Sequence, residues 1–243
     1  MKSIACALLL LLFAVGGARA DQSLLATAEH ATAVGDYNLA VQSYERIAAQ
    51  QGYSAPMLFN LGNAWLRLGK PARAILEYER ALVLAPRDPA IEAGLEAAQQ
   101  RAGIAAPAVG AWLSSARYLS FDTYAWAALV AMWVLCAAIV LLCVNGVARR
   151  AAGVLILLAA VTLCASADAA VLCWQDLYRA VMQESVSMQL APAQSAAANG
   201  NLRAGEVVWL QGHYGGFVLV RTAEGHSGWV SAGAAVPVRA SRP

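Results

Sequence analysis

The sequence predicts a multidomain membrane protein in three parts: an all-α helical-repeat region, a two-helix transmembrane hairpin and a C-terminal all-β small barrel. Three observations carry this. Hydrophobic residues make up 60% of the 243 residues and charged residues only 13%, where globular chains carry roughly 25% charged. The apolar excess, with a mean hydropathy of +0.53, falls in blocks. The first hundred residues contain a period of 34, and the last sixty alternate in short apolar runs separated by turn residues. The net charge is +2; without Lys2 and Arg19 it is neutral. A neutral chain has no electrostatic footprint for nucleic acid, and one this apolar is not intrinsically disordered.

Residues 1–20 read as a cleaved secretory signal. Lys2 supplies a positive start, Ile4 to Val15 is an apolar run too short to cross a bilayer comfortably, and Ala18-Arg19-Ala20 is a small-x-small cleavage pattern. An uncleaved anchor is the competing reading. Residue 21 onward then begins outside the cytoplasm. Cys136, Cys143, Cys164 and Cys173 all lie in apolar blocks, which suits small fillers of membrane helices rather than disulfide staples of an exported domain.

Within 21–101, Gly35-Asp36-Tyr37 is echoed by Gly69-Lys70-Pro71, Ala40 by Ala74, and Tyr44-Glu45-Arg46 by Tyr78-Glu79-Arg80, each at an offset of 34. Gly62 and Ala74 are small, as a close crossing of two helices requires, with Trp65 and Tyr78 beside it. Pro86 ends the second helix because proline lacks an N–H and clashes with the preceding turn. In the first copy Ala28 and Ala31 stand where the second has its glycine and aromatic. A third helix runs from Asp88, an N-cap, to about Arg101, with Ile91, Leu95 and Ala98 as its apolar stripe. The period of 34 and the spacing of Leu58, Leu61-Gly62, Trp65, Ala74, Tyr78, Ala81 and Pro86 resemble the tetratricopeptide repeat: two repeats plus a capping helix. The resemblance implies protein binding on the concave surface lined by each repeat's first helix. Phe59, Asn63, Leu66 and Arg67 would face it, with Glu29 and Thr32 from the first repeat. The alternative is that this surface packs on another subunit or on the chain's own membrane-proximal part. A basic clamp for peptide C-termini is not evident.

Residues 102–121 form a linker and an interfacial approach in which Trp112, Tyr118 and Phe121 suit the water–lipid boundary. Residues 122–145 form the first transmembrane helix, 146–150 a cytoplasmic turn and 151–174 the second helix. Arg149 and Arg150 are the only charges between the spans, so the positive-inside tendency places the turn in the cytoplasm, in agreement with the signal. Thr123 to Val144 carries no charge, and Asp168 is the one charged residue within the second span. Its position about 25 Å along the second helix puts it near the outer boundary; a partner contact and proton or ion handling are the other readings. Neither span holds a His, which excludes a haem held by two histidines. No cofactor is expected. Small residues such as Ala127-Ala128, Ala137-Ala138 and Ala159-Ala160 allow close helix packing, within the hairpin or with partner helices.

After Trp174, Gln175 to Gln183 looks helical, and residues 183–238 form a β module. Short runs such as Ser187–Leu190, Glu206–Leu210, Gly216–Arg221 and Gly228–Val230 read as strands, with Asn199-Gly200, Tyr214-Gly215-Gly216 and Ala223-Glu224-Gly225 as turns. Leu202-Arg203-Ala204-Gly205-Glu206-Val207-Val208, then Gly216-Phe217, then Glu224-Gly225-His226-Ser227-Gly228-Trp229-Val230, resemble a bacterial SH3-like (SH3b) domain. That likeness implies cell-wall or peptide binding. Trp209, Tyr214, Phe217 and Trp229 are its candidate surface, against a reading in which Phe217 and Trp229 are mostly core. His213 and His226 have no cysteine or carboxylate cluster at ligand spacing, so no metal site is expected.

No nucleophile elbow, zinc-protease helix, phosphate loop or dinucleotide fingerprint is present, and the chain is expected not to be an enzyme. The order of signal, repeats, membrane hairpin and SH3-like module resembles the BatE-type proteins of bacterial aerotolerance (Bat) operons. That resemblance implies a non-enzymatic inner-membrane scaffold whose two soluble modules face the periplasm. Its implied partners are other membrane or periplasmic proteins, including von Willebrand A-type and repeat-bearing components. A cell-wall sensor or tether binding peptidoglycan is the alternative.

Overall fold

The computed structural model describes residues 24–104, 121–144 and 149–239. The expected signal, most of the linker with Trp112 and Tyr118, and the bend 145–148 lie outside the described residues. The chain divides into two compact units. One comprises residues 1–106 and 180–243, and the other residues 107–179.

Five helices open the first unit: α1 (24–34), α2 (Tyr37–Gln51), α3 (Ala55–Arg67), α4 (Pro71–Leu84) and α5 (Pro89–Ala102). Their starts follow from local chemistry. The Asp36 Oδ1 accepts the Leu39 amide at 3.1 Å to cap α2, and the Asp88 Oδ1 accepts the Ala90 amide at 2.9 Å to cap α5. Pro71 and Pro89 occupy first helical positions, where a missing N–H costs nothing. Gly35, Gly69 and Gly103 follow α1, α3 and α5 with φ of +82°, +70° and +68°, so the period of 34 runs one glycine further than the second repeat. By this turn α5 occupies the first-helix slot of a third repeat. The core joins Ala28, Ala31, Tyr44, Leu58, Leu61, Trp65, Ile75, Tyr78 and Ile91. Ala28 and Ala31, fully buried, occupy in the first repeat the positions of Gly62 and Trp65.

The same unit contains a seven-stranded antiparallel sheet: β1 (Arg179–Met182), β2 (Val186–Gln189), β3 (Ala198–Leu202), β4 (Val207–Tyr214), β5 (Phe217–Arg221), β6 (Ser227–Ser231) and β7 (Ala235–Pro237), in the order β3-β2-β6-β5-β4-β1-β7. Its core is Ala180, Met182, Met188, Leu202, Val208, Val220 and Val230. Two expectations are corrected. The segment read as helical to Gln183 leaves its helix at Asp176 and becomes β1, all four residues of which are buried; its register is set by pairing with β7, Ala180 opposite Pro237. Asn199-Gly200, read as a turn, lies within β3, where Asn199 is the extra residue between the Met188–Gly200 and Gln189–Ala198 pairs. The causes differ: β1 is held by a strand at the far end of the module, whereas β3 is drawn into the sheet by the adjacent β2, and in both cases pairing overrides local preference.

The second unit is a pair of helices packed on one another, α6 (Phe121–Val144) and α7 (Arg149–Asp176). Small residues form the contact: Ala131, Ala138 and Ala159 are 5%, 1% and 3% exposed, while Trp126, Val130, Trp133, Leu157 and Val161 stand open at 57–67%. By length and composition α6 contains one stretch able to cross a membrane, Thr123–Val140; the apolar stretch of α7, Gly153–Asp168, is shorter. Thr162 and Ser166 donate their hydroxyls to the Leu158 and Thr162 carbonyls at 2.9 and 2.8 Å, so they carry no unpaired polar group outward.

Candidate functional site

The repeat surface is built on α3. Gly62 lies against Tyr78: a Cβ there would stand 2.7 Å from the Tyr78 ring. This approach brings the Tyr78 hydroxyl to Asn63, whose Oδ1 accepts it at 2.7 Å. Phe59 packs on the same ring at 5.9 Å between centroids. Burial pushes the Tyr78 phenol up to about 12, opposed by Arg101 and Arg67. Of the four residues expected on the binding face, Asn63 is thus committed to an internal hydrogen bond, Phe59 and Leu66 are partly buried against the core, and Arg67 is exposed. In α1, Glu29 is exposed and Thr32 donates to the Ala28 carbonyl at 2.8 Å. The surface that remains open on the first helices is apolar at Leu25, which is 42% exposed, and cationic at the α3 end, where Arg67 is exposed.

The sequence expectation missed Arg80. It sits on α4, the second helix of its repeat, and makes three hydrogen bonds: Nη1 to Glu77 Oε1 at 3.0 Å, Nε to the Val238 carbonyl at 3.2 Å and Nη2 to the Pro237 carbonyl at 3.3 Å. Its guanidinium also lies 5.9 Å from the Tyr53 ring centre. Burial raises the Glu77 carboxyl above its ordinary value; Arg80 opposes this, and Glu45 adds to it. The fixed β7 carbonyls and Glu77 together hold the guanidinium in one place. Nearby, Val181 and Val238 belong to the apolar core of the repeats, with Val207 and Val236 packed on it. Gly205 has φ +94°, and a Cβ on it would come within 2.8 Å of Ile75 and 2.9 Å of Ile104. Arg203 Nη1 donates to the Gly103 carbonyl at 3.0 Å. The repeats and the sheet therefore share one core along α4 and the end of α5. A partial signal existed in the echoed Tyr-Glu-Arg, but Arg46 in the first copy is exposed, so the echo alone marks no partner.

The motif residues of the sheet also have local roles. Glu206 Oε2 accepts the Arg203 amide at 3.0 Å, and the Gly205 amide donates to the Met182 carbonyl at 2.7 Å; together they close the loop into β4. Of the four aromatics expected on one surface, Tyr214 is 68% exposed beside the β4–β5 turn, while Trp209, Phe217 and Trp229 are partly buried. Tyr214 and Phe217 are directly opposed across that hairpin, and Trp229 pairs with Leu219 and Gln189. In the second unit Asp168 is exposed on α7, and Arg149 and Arg150 begin that helix. Trp174 and Tyr178 meet edge-on at 5.1 Å near its other end.

This helical geometry has a counterpart among known families. Residues 55–88 match the tetratricopeptide repeat. The matched segment is α3, α4 and the turn to Asp88, so the helical region contains a repeat of the kind that mediates protein–protein interaction. A search of curated proteins found no match to the chain.

Proposed function

We propose that the chain is a non-enzymatic, two-pass inner-membrane scaffold that holds its repeats and its C-terminal module, read as SH3b, at the periplasmic face to bind partner proteins. The observation that carries this is the shared core. Val181 and Val238 from the sheet pack among repeat residues, so both lie on one side of any membrane. In this reading Thr123–Val140, long and apolar enough to cross, carries the chain inward and α7 brings it back. The open apolar faces of α6 and α7, the satisfied hydroxyls of Thr162 and Ser166, and the Trp174–Tyr178 pair at the helix end support the same reading. Asp168, at the end of the α7 apolar stretch, is consistent with the outer boundary, and Arg149 and Arg150 with a cytoplasmic bend. Both termini of the mature chain would be periplasmic. The order of parts supports membership in a BatE-type, aerotolerance-linked or stress-linked membrane complex, with von Willebrand A-type proteins among its partners.

The test combines topology and capture. Protease added to the outer face of spheroplasts should digest both modules, and digestion of either only from the inner face would overturn the arrangement. Affinity purification from detergent-solubilised membranes should recover partner proteins with the wild type and lose them with Leu25→Asp/Phe59→Ala, while membrane abundance is kept. Point changes are required because the shared core would confound deletion of residues 21–101. One observation favours a second reading, a cell-wall tether: the exposed Tyr214 ring beside the β4–β5 turn is placed as a sugar- or peptide-stacking residue would be. Loss of co-sedimentation of the full chain with purified peptidoglycan in Tyr214→Ala supports it; no sedimentation of the wild type rejects it.

A further inference from the structure

We propose that the basic end of the repeat region, formed by Arg67, Lys70, Arg73 and Arg101, rests against the anionic surface of the bilayer that anchors the chain. The inference rests on the membrane reading above.

The four cations converge on one short stretch of α3. Lys70 Nζ and Arg73 Cζ lie 5.1 and 4.6 Å from the centre of the same Trp65 ring. Arg101 Nη1 donates to the Leu66 carbonyl at 3.2 Å, and Arg67 follows directly. Among the described residues none of the four forms an ion pair. The carboxylate that Arg73 senses, Glu77, is buried and committed to Arg80. Apart from its first twenty residues the chain is neutral, so this is a local excess of one sign and needs a local anion.

Two features select a lipid surface over a threaded acidic segment. Lys70 and Arg73 lie at the turn from α3 into α4 and on α4 itself, outside the first-helix face. The charges therefore rim an end rather than line a groove, and a rim fits a plane. In addition, Arg101 is in the last turn of α5, the last repeat helix before the chain passes through residues 105–120 to α6. A segment of that length reaches at most about 55 Å even when fully extended, which raises the effective concentration of lipid surface at this end. Surface attraction acts over about one Debye length, roughly 8 Å at physiological ionic strength, so tethering is what makes so short-ranged a contact effective. Each cation at an anionic surface strengthens the association by about fivefold.

The sequence provides a single-site reporter, because Lys70 and Lys2 are the only lysines in the chain. The full chain is reconstituted into nanodiscs of phosphatidylcholine alone or mixed with phosphatidylglycerol, and acylation of Lys70 by an amine-reactive ester is timed by mass spectrometry. Lys70 should react at least about fivefold more slowly in the anionic discs. The difference should vanish near 0.5 M salt, where screening shortens to about 4 Å, and also in Arg67→Gln/Arg73→Gln/Arg101→Gln, which keeps the reporter. The salt arm needs no substitution and so does not depend on how that variant folds. Equal rates in the two lipids, with the chain inserted, overturn the proposal and leave the membrane reading intact. Protection that appears in either lipid only when a partner protein is added overturns it in favour of an acidic protein surface. A chain that fails to enter the discs and is stripped by alkaline carbonate fails the membrane reading itself, and the proposal with it.

Discussion

Gly62 has no side chain because the Tyr78 ring occupies the place where one would go. A methyl carbon at Gly62 would stand only 2.7 Å from that ring, and Tyr78 is fully buried, so Gly62→Ala must displace the helix crossing. The expected cost is about 1–3 kcal/mol, read as a fall in thermal midpoint. Tyr78→Phe tests the polar half of the contact. It removes the hydrogen bond to Asn63 and should cost about 1 kcal/mol. The phenol, pushed up to about 12 from 10, stays protonated in the folded chain while the unfolded chain ionises. The Tyr78 contribution to stability is therefore complete below pH 10 and lost as pH rises toward 12, and Tyr78→Phe should flatten that alkaline decline. Glu77 obeys the same sign at lower pH. Its carboxyl is raised by burial from 4.5, so the folded chain holds the proton longer and stability falls as pH climbs through the interval above 4.5. In Glu77→Gln the midpoint should change less across that interval than in the wild type. A steeper fall would show that the ion pair with Arg80, not burial, governs this carboxyl.

At the scale of elements, the join between α4 and β7 depends on Arg80. Removing its side chain loses two bonds to backbone carbonyls and leaves the buried Glu77 without its cation. For a pair with side chains 19% and 9% exposed, Arg80→Ala should cost about 3 kcal/mol. Hydrogen exchange locates the loss. Amides of β1 and β7 should exchange faster, while those of α1 and α2 change less. Uniform acceleration across all helices would mean that the repeats and sheet open as one cooperative block. Gly205→Val probes the same join from the other side, where positive φ and the contacts with Ile75 and Ile104 both oppose a side chain. It should weaken the join as much as Arg80→Ala.

For the whole molecule, the shared core makes two sequence-distant modules stabilise one another. Ending the chain after residue 178 should therefore lower the midpoint of the repeats by several degrees, since Val181, Val207, Val236 and Val238 leave the apolar surface of α4 and α5 exposed to water. An unchanged midpoint in detergent would show that α1–α5 are complete without the sheet.

Much of this architecture was legible in the residues. The 34-residue spacing identified α2–α4, because each repeat must bury the same small and large side chains at the same crossing, and the apolar stripe of Ile91, Leu95 and Ala98 identified α5. Asp88 marked the start of α5 through chemistry that acts within a few residues. The apolar stretch of α6 was equally plain, since a helix buries no backbone polarity wherever it lies. The sequence did not disclose β1, β3 or β7, nor the partnership of Arg80 with the Pro237 and Val238 carbonyls. β3 pairs with its sequence neighbour β2, where the irregularity at Asn199 disguises the strand as a turn. The Arg80 acceptors lie 158 and 157 residues away and β1 pairs with the last strand of the module, and no local pattern encodes which distant backbone will arrive. For the same reason Asn63, read as facing a groove, is occupied by Tyr78: the period indicates which way a helix face points, and only the packed neighbours determine whether its polar atoms are still free.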